Sequence, residues 1–88
     1  MSREPVLIRY FAWVRERVGL GEERLVLPET VTTAGDLVAW LAGRDEAHAH
    51  ALDAGSSIRV AADQVHVDHD ESIVGARELA LFPPMTGG

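Results

Sequence analysis

Two periods of apolar residues alternate along this chain, and each change of period marks a predicted element. Val6-Leu7-Ile8-Arg9-Tyr10-Phe11, behind Pro5, is rich in β-branched and aromatic residues and reads as a strand. From Ala12 to Val18 the period lengthens: Val14 and Val18 share a face four residues apart, and Gly19 and Gly21 close one or two helical turns. Glu23-Arg24-Leu25-Val26-Leu27 returns to strand character and stops at Pro28. These two strands are close in sequence and are expected to pair. Thr33, followed three residues later by Asp36, is a variant of the capping box and opens the clearest helix. Leu37, Val38, Leu41 and Ala42 then recur at helical spacing beside Trp40 until Gly43.

Residues 45–52 read as a shorter helix broken at Gly55. Residues 58–62 and 64–67 read as two short strands around an Ala-Asp turn. Glu78-Leu79-Ala80-Leu81-Phe82 is a last strand, ended by Pro83 and Pro84, which have no N–H to continue a ladder. The order strand, strand, helix, then two or three strands implies an α+β fold, a mixed sheet packed on one principal helix. It resembles the ubiquitin-like β-grasp. The 88 residues suit one domain, 1–88, with 83–88 as an extended tail.

Composition removes several classes of function. Hydrophobic residues make up 47% of the chain and charged ones 25%, which argues against disorder along its length. Fourteen acidic against eight basic residues leave a net charge of −6, a field that repels nucleic acid and anionic membrane surfaces. With no cysteine, the chain has neither disulfides nor thiolate chemistry. All eight basic residues are arginine, so Schiff-base chemistry and isopeptide attachment to this chain lack a lysine. The first apolar run is short and interrupted by Arg9, unlike an export signal, and no segment approaches the roughly 20 apolar residues of a membrane span. A cytoplasmic location is expected.

Within the predicted body no side-chain constellation reads as an active site. His66, Asp68, His69 and Asp70 are all of metal-ligating types, yet on a strand His66 and Asp68 point outward into a polar turn, which reads as a solvated hairpin end. His48 and His50, two apart on a helix, fall on different faces and form no site. Ser56, Ser57 and Ser72 lack a nucleophile elbow, and Gly19-Leu20-Gly21 lacks the third glycine of a dinucleotide fingerprint.

The tail is different. A terminal glycine pair arises by chance in roughly 0.5% of chains at ordinary glycine usage. Here it follows Phe82-Pro83-Pro84-Met85-Thr86, an aromatic anchor and two prolines that aim the exit. Gly87 and Gly88 have no Cβ, so they can enter a tunnel too narrow for other residues.

Tyr10-Phe11-Ala12 with Arg15-Glu16 and a nearby glycine, together with the ending from Phe82 to Gly88, resembles the small, sulfur-carrying subunit of molybdopterin synthase. The resemblance covers nearly the whole chain. It departs at Leu81, where an aromatic is common, at Asp63, where asparagine is expected, and over Val74-Gly75-Ala76-Arg77-Glu78. The resemblance implies a carrier that is not an enzyme on its own and binds no cofactor. An E1-like adenylating enzyme would use ATP to adenylate the Gly88 carboxylate, and a sulfur donor system would convert it to a thiocarboxylate. The loaded tail would enter the large catalytic subunit of molybdopterin synthase, where two sulfur transfers build the dithiolene on cyclic pyranopterin monophosphate. Gly88 would be the reacting residue, Gly87 would give clearance, and Pro83 and Pro84 would aim the tail. The alternatives are a sulfur carrier for thiamine, cysteine or transfer-RNA thiolation, or a ubiquitin-like protein modifier.

Partner binding is assigned to Phe82, Pro83, Pro84, Met85, Thr86, Gly87 and Phe11. Strand alternation puts Leu79 and Leu81 on one face and Ala80 and Phe82 on the other. If the leucines pack on the helix, Phe82 joins Phe11 or Leu7 on a face left for another subunit; otherwise Phe82 caps the core. The net acidity predicts arginine or lysine on the partner's docking surface.

Overall fold

A computed structural model of the chain describes residues 4–84. Its five strands, β1 (Val6–Tyr10), β2 (Glu22–Leu25), β3 (Arg59–Ala62), β4 (Val65–Val67) and β5 (Glu78–Phe82), form one sheet in the order β2-β1-β5-β3-β4. β1 runs antiparallel to β2 and parallel to β5, while β3 runs antiparallel to both β5 and β4. The first and last strands therefore meet in the middle of the sheet. A parallel pair needs a long crossover, and the segment holding α2 (Ala34–Ala42) and α3 (Glu46–Ala51) lies within it, as does α1 (Ala12–Val18). This is the ubiquitin-like β-grasp, an α+β fold with a mixed sheet.

Local chemistry accounts for the element ends. At the start of α2, the Asp36 N–H donates to Thr33 Oγ1 at 3.1 Å and the Thr33 N–H donates to Asp36 Oδ2 at 3.1 Å, completing the predicted capping box. Gly35 lies against the loop before β5: its N–H donates to the His69 carbonyl at 2.8 Å, and a Cβ there would stand 3.1 Å from that oxygen. α1 ends at Gly19 in the left-handed conformation, φ 89°.

Of the boundaries that differ from the sequence reading, three shape the region around the tail and its sheet. Phe11 is not the last residue of β1 but the N-cap of α1, because Ala12 turns the chain with φ 53°. β2 ends at Leu25, two residues earlier than expected: it pairs with Val6, and the next residue on β1's side, Pro5, has no N–H to offer. Gln64 belongs to the β3–β4 turn and not to the strand. Asp63 (φ 48°) and Gln64 (φ 71°) are both left-handed, the mirror-image turn whose twist matches a two-residue hairpin. Asp63 Oδ1 secures this turn by accepting the N–H groups of Arg77 and Glu78, each at 3.0 Å.

The core lies between the inner sheet face and the helices. Ile8, Leu37, Leu41, Leu52, Ile58, Val60, Leu79 and Leu81 are fully buried in it together with Tyr10, and Trp13 and Trp40 pack against it partly buried. Among the described residues no helix is long and apolar enough to cross a membrane.

Candidate functional site

β5 ends where the tail begins. Leu79 and Leu81 point into the core, so Phe82 points to the outer face of the sheet, away from the helices. It stays half-buried because it stacks on Phe11, ring centroids 4.7 Å apart and planes within 10°. Phe11 is brought there by its backbone: its N–H donates to the Leu81 carbonyl at 3.1 Å, just before Ala12 turns the chain away. The His66 ring of β4 tilts against Phe82 at 5.6 Å, and the Arg9 guanidinium lies over Phe11 at 5.2 Å. The structure thus brings together Phe11 and Phe82, with the half-buried Pro83 and Pro84 following directly. Met85, Thr86, Gly87 and Gly88 lie outside the described residues.

Register defines the rest of this face. Arg59 of β3 stands opposite Phe82, Ala61 opposite Ala80, and Arg9 beside Ala80; Leu7 lies next to Glu78 and opposite Arg24 of β2. Ala61 and Ala80 are buried although they face away from the helices, because longer neighbours cover them. Arg9 also pairs with Glu78 at 3.7 Å. The paired strand positions of the outer face therefore hold Arg9, Arg24 and Arg59 against Glu22 and Glu78, and the exposed Asp68 follows beside Arg59. A cleft of about 510 Å³ adjoins the tail exit, lined by Ser57, Arg59, His66, Asp68, His69 and Pro84 among others.

The histidine-rich turn is spread around this cleft. His66 is exposed on the outer face, whereas His69 is half-buried and its Nε2–H donates to the Ile58 carbonyl at 2.6 Å. Among the described residues no group of three or more His, Asp or Glu side chains is placed to hold a metal ion.

On the inner side the structure contains a polar cluster that sequence reasoning missed. His48 of α3 is 4% exposed and presents both ring nitrogens to carboxylates: Nδ1 to Asp45 Oδ1 and Nε2 to Glu23 Oε2, each at 2.8 Å. A ring can donate both bonds only when both nitrogens carry protons. The Tyr10 hydroxyl donates to the same Glu23 oxygen at 2.7 Å. Burial pushes the Tyr10 phenol up, and its hydrogen bond to Glu23 adds to the rise. For Glu23 burial also acts upward, but the bonds from Tyr10 and His48 and the nearby positive charge outweigh it and hold the carboxyl below its usual range. Asp45 is held low by the His48 backbone N–H and then by its ring. One half of this cluster was visible in the chain: Asp45 caps α3, which puts His48 three residues later above it. Glu23, 25 residues from His48, was not.

The family model described as the ThiS family matches residues 8–88. Among solved structures, SAMP1 from Haloferax volcanii is 30% identical with a TM-score of 0.67, over 96% of this chain and 99% of that one. A crystal structure described as H. volcanii small archaeal modifier protein 1 is 28% identical, TM-score 0.68, over 93% and 99%. A Pyrococcus furiosus protein proposed to be molybdopterin converting factor, subunit 1, shares the fold at 23% identity, TM-score 0.62, over 93% and 99%. No curated protein matches the sequence at a significant level.

Proposed function

This chain belongs to the ThiS family of ubiquitin-like sulfur carriers, and from that premise we propose that it carries sulfur for molybdenum cofactor biosynthesis on the carboxylate of Gly88. Small carriers of this family are generally not catalysts themselves; the acids and bases belong to their partners. The observation that supports the pathway is the tail and its root: a stacked Phe11–Phe82 pair on the outer face, followed by Pro83, Pro84 and a terminal diglycine. The likeness in fold to the P. furiosus protein agrees with it.

The chemistry needs an activated carboxylate, because a free one is a poor electrophile. An E1-like enzyme joins the Gly88 carboxylate to the α-phosphate of ATP and releases pyrophosphate. Sulfur at the sulfide level, supplied by a donor system, then attacks the acyl carbon and AMP leaves, giving a thiocarboxylate. In the large subunit of molybdopterin synthase the thiocarboxylate sulfur attacks a precursor carbon and displaces an oxygen substituent from it. Water then cleaves the acyl C–S bond of the resulting thioester, which leaves the sulfur on the pterin and returns Gly88 to a carboxylate. Gly87 gives passage and the prolines aim the tail.

A second reading, protein modification through Gly88, is favoured by the 30% identity to SAMP1 and the modifier name of that protein. Intact mass after incubation with ATP, the cognate adenylating enzyme and a sulfur source separates the two. A carrier gains the mass difference between sulfur and oxygen; a modifier appears as conjugates to other chains. Deleting Gly88 should abolish the gain and all conversion of the pterin precursor with the large subunit. Conversion by a chain lacking Gly88 would refute the carrier reading, and loading without conversion would move the chain to another sulfur pathway.

A further inference from the structure

We infer that α3 is a proton-gated clasp: His48 with both ring nitrogens protonated fastens Glu46–Ala51 to the sheet, and loss of one ring proton frees that helix while the strands stay folded. The device lies on the helix side, away from the Phe11–Phe82 stack, and is independent of the carrier reading.

α3 has little else to hold it. Its six residues are one glutamate, three alanines and two histidines, and only His48 and Ala51 are buried. An alanine methyl removes little apolar area from water, so the polar contacts of His48 carry a large share of the attachment. His48 is the one side chain of ionisable polar type buried among the described residues. Besides its two carboxylate partners, the ring meets Tyr10 edge-on, centroids 5.9 Å apart. The buried C-cap Leu52 anchors the far end of the helix, which makes it the hinge.

The charged groups around the ring come from every neighbouring element. β2 supplies Glu23, β1 supplies the Tyr10 hydroxyl that donates to it, and Asp45 stands at the start of α3. Arg44, just before it, acts on Tyr10 and Glu23 at longer range and lies over the Trp40 ring of α2. Arg17 of α1 meets the other end of α3, donating to the His50 carbonyl at 3.5 Å and pairing with Asp53 at 3.8 Å. Glu46 and His50 are exposed. Two carboxylates thus face one ring, and both arginines are engaged elsewhere.

When a ring proton leaves, one nitrogen turns a lone pair to a carboxylate oxygen at hydrogen-bond distance, and that contact becomes repulsive. Glu23 keeps the Tyr10 hydroxyl and Asp45 keeps the His48 backbone N–H, so the departing ring orphans neither carboxylate. The fastening is present while the ring holds both protons and is lost as the pH rises and one leaves. On the acid side it is lost as the Glu23 and Asp45 carboxyls, both held low, take up protons.

The test follows the full-length chain from about pH 5 to about pH 9, across the ordinary imidazole range. Ring-nitrogen NMR reads the protons on His48, and native-state hydrogen exchange reads the protection factors of α3. As the ring loses a proton, protection of Ala49 and Leu52, whose N–H groups donate to Asp45 and His48, should fall by about tenfold or more. Protection of Ile8, Leu79 and Leu81 should stay unchanged. His48→Gln, which holds no titrating proton, should leave α3 weakly protected at every pH. Glu23→Gln keeps an acceptor oxygen but removes the buried charge, so it should move the opening to lower pH by about one unit or more; this arm decides if His48→Gln fails to fold. Asp45→Asn keeps the cap and should move it less, because Asp45 is exposed. An α3 equally protected with the ring singly and doubly protonated, an opening that Glu23→Gln does not move, or loss of the central strands together with α3 would overturn the inference.

Discussion

Phe82 shows how much one residue's role depends on which side of a strand it takes. Leu81 and Phe82 are adjacent and both apolar, yet Leu81 is fully buried and Phe82 is held at the surface by its stack on Phe11. An aromatic stack contributes about 0.5–1.5 kcal/mol beyond area burial. Phe82→Ala should therefore cost the isolated chain about 1–2 kcal/mol, short of the roughly 3–5 kcal/mol of a core phenylalanine. If the ring anchors a partner, the same change should weaken that complex by about 2 kcal/mol or more. Thermal melting and a binding titration on one variant decide between the roles: a large melting loss with intact binding would make Phe82 a core residue. Ala12 contributes at the same scale, since its left-handed backbone lets Phe11 bond to Leu81 and still reach Phe82.

At the scale of elements, the Tyr10–Glu23–His48–Asp45 cluster fastens α3 to the first two strands. Glu23 lies on the inward side of an edge strand, where an unpaired carboxylate would be costly; the hydroxyl and the imidazole satisfy it. Its carboxyl titrates below its ordinary value in the folded chain, so the unfolded chain takes up that proton first. The stabilisation is complete above about pH 5 and is lost as the pH falls through about 4 and below. Glu23→Gln should lower stability at neutral pH by about 1–2 kcal/mol, and the gap to the wild type should close on acidification. Melting of both chains from neutral pH to pH 3 checks this; a gap that stays constant would mean that Glu23 acts by shape and not by charge. Asp36 lies outside the cluster and is present in both chains, so its own acid dependence cancels in the comparison.

For the whole molecule, the topology ranks the strands. β1 and β5 are central and parallel, joining the two ends of the sequence, while β2 and β4 are edges. β4 is three residues long and its Val65 is 65% exposed. Local opening should start at such edges, because fewer buried contacts are lost there. Native-state hydrogen exchange should find the amides of Ile8, Leu79 and Leu81 among the slowest and those of β4 the fastest of the sheet. Slow exchange in β4 of the isolated chain would show that its edge is protected by association. Charge is likewise a whole-molecule property: the chain is acidic overall, while on the outer face Arg9, Arg24 and Arg59 offset Glu22, Glu78 and Asp68.

Local signals are short-range, and they were readable. The capping box at Thr33 and Asp36, the helical spacing through Leu41, the glycine after α1 and the alternation of β5 depend on residues at most a few positions apart. The terminal diglycine behind two prolines was readable for the same reason, as a contiguous word. What required the folded chain was every relation across distance: that β1 pairs in parallel with β5, that Phe11 is Phe82's partner in place of Leu7, and that Glu23 waits opposite His48. Net charge could be counted from the sequence, but its sign on one face depends on which side of each strand an arginine takes. Pairing register decides that, and register is set by the packing of the whole core.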